Sequence, residues 1–288
     1  MSQLDPAEIR AQASRALAED WRGTDLTAEA VLVPGRWCRA RIVSREEGVL
    51  CGSELAREVF RQVDPAVGWE QVVPEGERLN PGSVAIAVEG PAAAVLAAER
   101  TALNFLQHLS GIASLTARYV ALAAPLGVVI LDTRKTLPGL RHLQKYATRT
   151  GGAHNHRMGL FDAILIKDNH VDLAGGLAAA LERARARQPG DQIEVEVRSL
   201  EELGEALRFQ LGRVLLDNFS PTEVAAAVKL VAGRVAVEVS GGVCLSNLAQ
   251  YAAAGPNFIS VGRLTHSAPA LDLALEVTPD QAGRAAAG

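Results

Sequence analysis

The sequence has few of the residues that mark secreted, disulfide-stabilised or zinc-binding proteins. It contains 3 cysteines in 288 residues, Cys38, Cys51 and Cys244, and no two of them form a CxxC pair. An odd number of widely spaced cysteines predicts reduced thiols and argues against a disulfide framework or a zinc site. Aromatic residues make up only 4% of the chain, whereas Ala, Leu and Val are abundant, which is typical of helices packed on buried parallel strands.

Signals for membranes and nucleic acids are also lacking. The segment from Met1 to Asp20 carries acidic side chains and no continuous apolar run, so the sequence predicts no secretory signal. No run approaches the roughly 20 apolar residues that cross a bilayer. The formal net charge of −4 gives no reason to expect nucleic acid or an acidic membrane surface as a partner. We therefore expect a cytoplasmic protein with neither of these partners.

The first part of the chain predicts a small, mostly antiparallel sheet with helices on one side. A helix is predicted at 6–20, and short alternating segments separated by turn residues follow as far as Gly90. The strands are expected at 38–43, 48–51, 72–73 and 83–89. A long helix is then predicted at 91–124, with a break near Ser110 and Gly111.

Beyond residue 124, apolar strand segments alternate with helical segments. Such alternation indicates parallel strands joined by crossover helices, so we predict an α/β fold whose six strands form a closed or nearly closed barrel. A doubly wound open sheet is the alternative. The strands are predicted at 128–133, 163–169, 193–197, 213–218, 236–242 and 258–263, and the helices at 173–188, 200–210, 221–232 and 246–254.

Charged and polar residues stand where these predicted strands end. The carboxyl ends of parallel barrel strands converge on one mouth, where barrel enzymes place their chemistry. Glu194 and Glu196 are two residues apart and therefore point to the same face. Carboxylates in apolar strands are costly unless paired or metal-bound, and Lys135 and Lys167 are the expected counter-charges. For Glu194, and for Glu238 in a later strand, interior salt bridges that serve only the fold are a competing interpretation.

A cationic segment follows the first predicted barrel strand. Residues 133–161 include no Asp or Glu, and glycines interrupt the segment, so we interpret it as a loop system over the barrel mouth. Arginine binds carboxylates and phosphates through two parallel hydrogen bonds. In an acidic protein, this segment predicts a strongly anionic small molecule as the ligand. Its basic residues are Arg134, Lys135, Arg141, Lys145, Arg149 and Arg157, with His142, His154 and His156.

Two glycine-containing turns follow the last two predicted strands. They are Ser240-Gly241-Gly242 and Val261-Gly262-Arg263. Backbone N–H groups of such turns bind oxyanions, and barrels often bind phosphate at these two loops. The sequence contains neither GxGxxG nor GxxxxGK[ST], so a dinucleotide fold and a P-loop are not supported.

These motifs resemble those of the quinolinate phosphoribosyltransferases, also called nicotinate-nucleotide pyrophosphorylases. The likeness extends over nearly the whole chain, and its longest motifs, DTRKTLPG and IKDNH, are specific. The matching segments are 24–27 (TDLT), 44–49 (SREEGV), 99–101 (ERT), 103–104 (LN), 108–113 (HLSGIA), 132–139 (DTRKTLPG), 144–147 (QKYA), 151–152 (GG), 155–157 (NHR), 166–170 (IKDNH), 194–197 (EVEV), 216–219 (LDNF), 240–242 (SGG) and 264–267 (LTHS).

The resemblance implies an N-terminal α/β sandwich domain at 1–110 and an incomplete parallel α/β barrel at 111–268. It also implies that the tail, at about 269–288, returns to the first domain. The family assembles as a homodimer whose active sites include residues of both subunits. The implied reaction converts quinolinate and phosphoribosyl pyrophosphate to nicotinate mononucleotide, carbon dioxide and pyrophosphate, in de novo NAD biosynthesis.

The resemblance also implies a role for each matching residue. Quinolinate would be held by Arg134, His156, Arg157 and Lys167, with Arg45 and Arg100 supplied by the neighbouring subunit. The 5′-phosphate would be received by Ser240, Gly241 and Gly262. The ribose and pyrophosphate would be surrounded by Lys135, Glu196 and Asp217, of which the two acids would also bind Mg²⁺.

The expected chemistry needs both charge types. As the pyridine nitrogen attacks the anomeric carbon, positive charge develops on the sugar, and carboxylates at Glu196 and Asp217 would stabilise it. Magnesium would stabilise the leaving pyrophosphate. The alkylated ring nitrogen then accepts the electrons released on decarboxylation, and either Lys135 or His156 would reprotonate the ring.

Three other functions are open at this point. The first is a related phosphoribosyltransferase with a different base, such as the paralogue associated with molybdenum uptake. The second is a Schiff-base aldolase that uses Lys135, whose pKa the adjacent Arg134 would depress. The third is a non-catalytic anion sensor, in which Glu196 and Asp217 would have no evident use.

Overall fold

The computed structural model describes residues 4–279, and these residues divide into two compact units. The first unit holds the chain up to Leu115, the segment His142–Gly151 and the chain from Ala268 onward, and the second holds Thr116–Arg141 and Gly152–Ser267. The sequence predicts a domain boundary after residue 110, with 111–268 in one domain. The structure differs mainly at His142–Gly151, which groups with the first unit.

The early part of the chain supplies helices and short strands. In chain order they are α1 (Pro6–Asp20), α2 (Leu26–Val31), β1 (Trp37–Ser44), β2 (Gly48–Val49), α3 (Ser53–Val63), β3 (Gly68–Gln71), β4 (Arg78–Leu79), β5 (Val84–Pro91), α4 (Ala92–Ala123) and a 3₁₀ turn (Ala124–Leu126). The prediction for α1 is confirmed to the residue. The strand predicted at 72–73 is wrong, because β3 ends at Gln71 and the N–H groups of Val72 and Val73 both donate to the single Ala85 carbonyl of β5.

The rest of the chain alternates between strands and helices. Its elements are β6 (Val129–Leu131), α5 (Arg141–Thr150), β7 (Ile164–Ile166), α6 (Asp168–Ala174), α7 (Leu177–Arg185), a 3₁₀ turn (Gly190–Gln192), β8 (Ile193–Val197), α8 (Leu200–Ala206), β9 (Arg213–Asp217), α9 (Pro221–Val231), β10 (Ala236–Ser240), α10 (Leu248–Ala253), β11 (Phe258–Ser260), α11 (Arg263–His266) and β12 (Leu273–Pro279). The helix predicted at 173–188 is wrong in its bounds. Helix α6 begins directly after β7, and Gly175 and Gly176, both with positive φ, separate it from α7.

The first unit contains a four-stranded antiparallel sheet with the order β12-β1-β5-β3. Along β1, Cys38, Ala40 and Ile42 are buried, whereas Arg39 and Arg41 are exposed, which is the alternation of a strand with one buried face. Strand β12 pairs with β1 from the far end of the sequence. Residues 280–288 of the predicted tail lie outside the described residues.

Helix α4 runs unbroken over 32 residues, so the break predicted near Ser110 and Gly111 is wrong. The Ser110 hydroxyl accepts the Cys51 N–H at 2.9 Å. A Cβ atom at Gly111 would overlap the carbonyl oxygen of Pro269. A helical glycine costs about 1 kcal/mol relative to alanine. Here the small residues serve close backbone packing and do not end the helix.

The stretch Ala92–Leu126 is long and apolar enough to cross a membrane, by length and composition alone. This differs from the expectation that no run reaches that length. The core helix of a soluble protein meets the same criterion, and Val95, Leu106 and Ile112 on this helix are fully buried. The stretch is therefore weak evidence for a membrane span.

The second unit is built on a six-stranded parallel sheet with the order β6-β11-β10-β9-β8-β7. All six predicted strands are present, and β8 has the predicted bounds. Among the described residues, the edge strands β6 and β7 do not pair with each other, and Leu131 of β6 forms an isolated bridge with His154 instead. The predicted α/β class with an incomplete parallel barrel is confirmed.

One face of this sheet is apolar, and the strand register places the following four valine and isoleucine side chains on it. Val195, Val214, Val239 and Ile259 are completely buried, and β-branched side chains of this kind favour strands. Helix α9 has a capping box and a proline in its first turn, which favour a helix start at this position. The result is a rigid frame whose strand ends carry the polar side chains.

Candidate active site

The carboxyl ends of the barrel strands surround a cavity of about 550 Å³ in the second unit. Its lining also includes five residues that were not among the predicted site residues, namely Thr133, Asn218, Glu238, Gly242 and Ser260. The predicted site residues in its lining are Arg134, Lys135, His156, Arg157, Lys167, Glu196, Asp217, Ser240 and Gly241.

Two arginines form the basic side of the cavity. The Nε atoms of Arg134 and Arg157 are buried, and neither has a hydrogen-bond partner among the described residues. Arg157 is anchored by Nη1, which donates to the carbonyl oxygen of Ala163 at 2.9 Å. Burial, together with the nearby charge of Arg134, lowers the pKa of Arg157. Two adjacent guanidinium groups with unsatisfied buried donors are well suited to an anion with planar oxygen acceptors.

Two acids also line the cavity. Glu196 on β8 is 7% exposed and makes a short ion pair with Lys167, which follows β7. At the end of β9, the Asp217 carboxylate accepts a hydrogen bond from Asn218 Nδ2 at 2.7 Å. Lys167 was one of the two counter-charges expected from the sequence. These carboxylates are the hard oxygen donors that Mg²⁺ prefers.

The loop after β10 approaches the loop after β9 very closely. Gly241 has a φ of 95°, and a Cβ atom there would overlap the Asn218 side-chain oxygen. Asn218 is itself in the left-handed region, with a φ of 59°, and its N–H donates to the Ser240 carbonyl at 2.9 Å. Glycine at 241 is therefore required by both conformation and space.

His156 is held on both sides of its ring. Nε2 lies 3.2 Å from Glu194 Oε2 and 3.6 Å from Glu238 Oε1, and Nδ1 accepts the Arg157 N–H at 2.8 Å. The fully buried Asp132 accepts the backbone N–H of His156 at 2.8 Å. The imidazole thus lines the cavity while Nε2 faces two protein carboxylates.

Burial and charge act in opposite directions on His156. Burial lowers its pKa, but hydrogen bonds to Glu194 and Glu238 and their negative charge outweigh burial and raise the pKa to about 9. The Arg157 N–H at Nδ1 favours the neutral ring. In the neutral form with Nδ1 as acceptor, and in the cation, Nε2 carries a proton and donates it toward the carboxylates.

Arg213, the first residue of β9, is the cation that the sequence analysis missed. Its Nη1 lies 2.6 Å from Glu238 Oε2 and 4.0 Å from Glu194 Oε2, and its guanidinium carbon lies 4.2 Å from the centroid of the Phe258 ring. The expected interior salt bridges of Glu194 and Glu238 are therefore present, but their partners are Arg213 and His156. One feature of the sequence could have predicted this ion pairing, namely that Arg213 belongs to a strand predicted between the two strands that carry Glu194 and Glu238.

Three predicted site residues do not line the cavity. Gly262 lies next to the aliphatic part of Lys135. Arg45 and Arg100 belong to the first unit, where Arg45 N–H donates to the Asp272 carbonyl at 2.9 Å. Their expected contribution to a neighbouring subunit's site stays a prediction.

The predicted cationic loop over the barrel mouth is only partly right, because its middle forms helix α5 of the first unit. There, Lys145 is fully buried, His142 Nδ1 lies 2.9 Å from Glu8 Oε2, and Arg149 lies 5.9 Å from the Tyr146 ring. The basic residues of this segment that line the cavity come from its two ends.

Comparison with known proteins identifies relatives over almost the entire chain. The family model for the quinolinate phosphoribosyl transferase N-terminal domain matches residues 25–110, and that for the C-terminal domain matches residues 112–276. The chain is 44% identical to the nicotinate-nucleotide pyrophosphorylase [carboxylating] of Mycobacterium leprae, covering 91% of this chain and 95% of the relative.

Two further relatives agree with this match. A probable nicotinate-nucleotide pyrophosphorylase [carboxylating] of Bacillus subtilis is 40% identical, with 90% of each chain covered. The solved structure of the nicotinate-nucleotide pyrophosphorylase from Francisella tularensis superposes with a TM-score of 0.92 at 39% identity, covering 96% of this chain and 98% of that one.

Proposed function

The chain belongs to the quinolinate phosphoribosyltransferase family, and we propose that its cavity joins quinolinate to phosphoribosyl pyrophosphate. The products are nicotinate mononucleotide, carbon dioxide and pyrophosphate, so the chain is an enzyme of de novo NAD biosynthesis. The observation that carries the proposal is a pair of buried guanidinium nitrogens, of Arg134 and Arg157, that have no partner in the described part of the chain and share one cavity with Glu196 and Asp217.

Arg134 and Arg157 bind the quinolinate carboxylates in this proposal. Quinolinate is a planar dianion, so its oxygens match the planar forks of the two guanidinium groups and offset their mutual repulsion. Lys167 Nζ, already at Glu196, would be shared with the substrate. His156 contributes mainly by shape and position, because its Nε2 proton is directed to Glu194 and Glu238.

Phosphoribosyl pyrophosphate occupies the opposite part of the cavity in this proposal. The Ser240 hydroxyl and the backbone N–H groups of the Gly241 turn receive the 5′-phosphate. Gly262, which lies next to Lys135, is expected to take part as well. Lys135 neutralises the pyrophosphate. Holding two polyanions in attack geometry can contribute about 7–11 kcal/mol to catalysis in favourable systems.

Glu196 and Asp217 stabilise the positive charge that develops on the ribose as pyrophosphate leaves. Their oxygens also fit Mg²⁺, which is a hard cation bound through carboxylates and substrate phosphates. When bound, Mg²⁺ supplies charge neutralisation to the leaving pyrophosphate. Glu196 must then exchange part of its interaction with Lys167 for the metal.

Decarboxylation leaves a ring carbon that must be protonated, and Lys135 is the proposed donor. Lys135 lines the cavity, and among residues 4–279 no salt bridge engages its ammonium group. The proton on His156 Nε2 instead faces two carboxylates. Lys135→Gln should therefore slow carbon dioxide release or ring protonation more than His156→Gln does.

Two properties of the assembly and the cell are proposed from the family alone. The chain is expected to form a homodimer in which Arg45 and Arg100 enter the partner's site. It is also expected to work in the cytoplasm, with neither nucleic acid nor a membrane as partner. Sedimentation analysis, and activity restored by mixing an Arg100→Ala variant with an Asp217→Asn variant, test the shared site.

The activity is tested with quinolinate, phosphoribosyl pyrophosphate and Mg²⁺ in a single mixture. We expect release of carbon dioxide and pyrophosphate in equal amounts, and neither without added quinolinate. Replacing quinolinate by nicotinate tests the related enzyme with a different base, because nicotinate can yield pyrophosphate without carbon dioxide. Turnover of nicotinate but not quinolinate would contradict the proposal.

A further inference from the structure

A charge network adjoins the cavity, and its centre is Arg213, whose side chain is 26% exposed. Arg213 Nη1 is 2.6 Å from Glu238 Oε2 and 4.0 Å from Glu194 Oε2. The guanidinium also stacks over the Phe258 ring at 4.2 Å. Arg213 is paired in register with Glu194 on β8, so the strands themselves fix these contacts.

The two acids of this network would repel each other without a cation between them. Glu238 is fully buried and the Glu194 side chain is 12% exposed, and an uncompensated buried carboxylate is strongly destabilising. Arg213 supplies a positive charge close to both carboxylates, and His156 Nε2 faces the same two carboxylates. Glu238 faces Arg213 through Oε2 and His156 through Oε1, whereas Oε2 of Glu194 lies near both.

His156 transmits this restraint to the substrate-binding arginine. Its Nδ1 accepts the backbone N–H of Arg157 at 2.8 Å, and Asp132 holds the backbone N–H of His156 at 2.8 Å. The peptide between His156 and Arg157 is therefore held by the imidazole ring, and the preceding peptide is held by Asp132. The direction in which the Arg157 side chain leaves this peptide sets where its guanidinium meets an anion.

A metal site is the other chemistry that these residues suggest. One donor atom each from His156, Glu194 and Glu238 lie within 4.8 Å of one another. A ligating Nε2 must be deprotonated, whereas the Arg157 N–H occupies Nδ1 and leaves the ring proton on Nε2. Arg213 already supplies the compensating cation. The geometry thus favours a hydrogen-bonded network over a metal centre.

Arg213 does not line the 550 Å³ cavity. It lines a separate cavity of about 300 Å³ at the amino ends of the strands, whose lining also includes Ile164, Ile193 and Gly212. His156 and Arg157 are shared by the two linings. Any effect of Arg213 on a ligand in the larger cavity must therefore pass through other residues.

We propose that Arg213 is a positioning residue that fixes the backbone of Arg157 for binding of the pyridine dicarboxylate. It acts through the carboxylates of Glu194 and Glu238 and then through the imidazole of His156. The inference rests on the proposed function, because it assigns the arginine at 157 to quinolinate.

The test replaces Arg213 by methionine, which keeps the bulk over Phe258 but removes the charge, and by lysine, which keeps the charge but not the planar fork. Calorimetry measures the dissociation constants of quinolinate and of phosphoribosyl pyrophosphate separately. Loss of one buried charge-assisted contact predicts about a tenfold weaker quinolinate binding in Arg213→Met. We expect a smaller loss in Arg213→Lys and a change of less than about twofold for phosphoribosyl pyrophosphate.

The matched control is Arg198→Met, at an exposed arginine beside β8 whose ion pair with Glu202 is 3.1 Å long. It should leave both constants unchanged. Nitrogen NMR of the histidine rings provides a second readout, because the His156 resonances should shift in Arg213→Met and stay in place in Arg198→Met. If Arg213→Met does not fold, Arg213→Lys carries the same comparison.

Unchanged quinolinate affinity in a folded Arg213 variant would overturn the inference, and so would equal losses for the two ligands. The proposed function fails in a different way, namely when the wild-type chain neither binds quinolinate nor releases carbon dioxide from it. A wild type that is active and an Arg213 variant that binds quinolinate normally would refute only the role of Arg213.

Discussion

Removal of either cavity arginine should separate binding of the two substrates. The perturbations are Arg134→Ala and Arg157→Ala, and each deletes a guanidinium whose Nε is buried without a partner among the described residues. A hydrogen bond between charged groups contributes about 1.5–3 kcal/mol net, which corresponds to about 10- to 150-fold in a dissociation constant. Quinolinate affinity should fall within this range.

Mutual repulsion places the expected loss near the lower end of that range. Arg134 contributes to the lowered pKa of Arg157, so each guanidinium destabilises the other until an anion lies between them. Deleting one arginine therefore removes the repulsion in the free protein and at the same time weakens quinolinate binding. We expect the melting temperature of both variants to equal or exceed that of the wild type, although their quinolinate affinity is lower.

The assay is isothermal titration calorimetry with quinolinate and, separately, with phosphoribosyl pyrophosphate. The second ligand is proposed to bind around Ser240 and Gly241, so its affinity should change by less than about threefold, which allows for long-range attraction reduced by salt. Arg198→Ala, at an exposed site, serves as the control. Equal losses for both ligands, or a clear drop in melting temperature, would refute the assignment.

Three other perturbations test the remaining groups. Asp217→Asn should lower kcat at least tenfold with unchanged quinolinate affinity, since a carboxylate near developing charge acts in the transition state; steady-state kinetics would disprove this if turnover were normal. Gly241→Ala should raise KM for phosphoribosyl pyrophosphate and lower stability by about 1–2 kcal/mol, because the left-handed backbone and the Asn218 side chain both oppose a Cβ atom, and thermal melts check the second effect. The pKa of His156 is about 9, against an ordinary value of 6.5. Its contribution to the free energy of unfolding, about 3 kcal/mol at most, should therefore be complete below pH 6.5 and disappear as the pH rises to 9. Urea titrations across this pH range test the expectation, and the same decline in His156→Gln would exclude His156 as its cause.

The barrel strands could be predicted because each is a short, apolar, β-branched run that ends in polar residues. Strand β8 (Ile193–Val197) has the predicted bounds, since Ile, Val and Val alternate there with two acids that share one face. The errors fell where local preference and packing disagree. Gly111 breaks a helix by propensity, yet the backbone of Pro269 occupies the space next to it.

The cavity-lining acids could also be predicted, since the ends of parallel strands converge whatever the loops do. Glu196 and Asp217 needed only strand assignment to be brought together. Arg213 could not be found in that way, because it begins a strand and because its partners depend on register with β8 and β10. The grouping of His142–Gly151 with the first unit likewise depends on tertiary packing, and a run of basic residues does not predict such packing.

The two groups of charges in the second unit serve opposite purposes, and their separation explains how an acidic protein can bind polyanions selectively. Around Arg213, two carboxylates lie 2.6 and 4.0 Å from one guanidinium nitrogen, so the protein itself compensates much of their charge. In the cavity, the Nε atoms of Arg134 and Arg157 have no hydrogen-bond partner within residues 4–279. An anion that enters gains interactions that the protein does not supply to itself. If the cavity arginines were paired within the protein, quinolinate would have to displace those partners. If the network around Arg213 were unpaired, the side chain of Arg157 would not be held in one orientation. Affinity for quinolinate therefore depends on two conditions: the cavity arginines are left without partners in the protein, and the acids around Arg213 are paired.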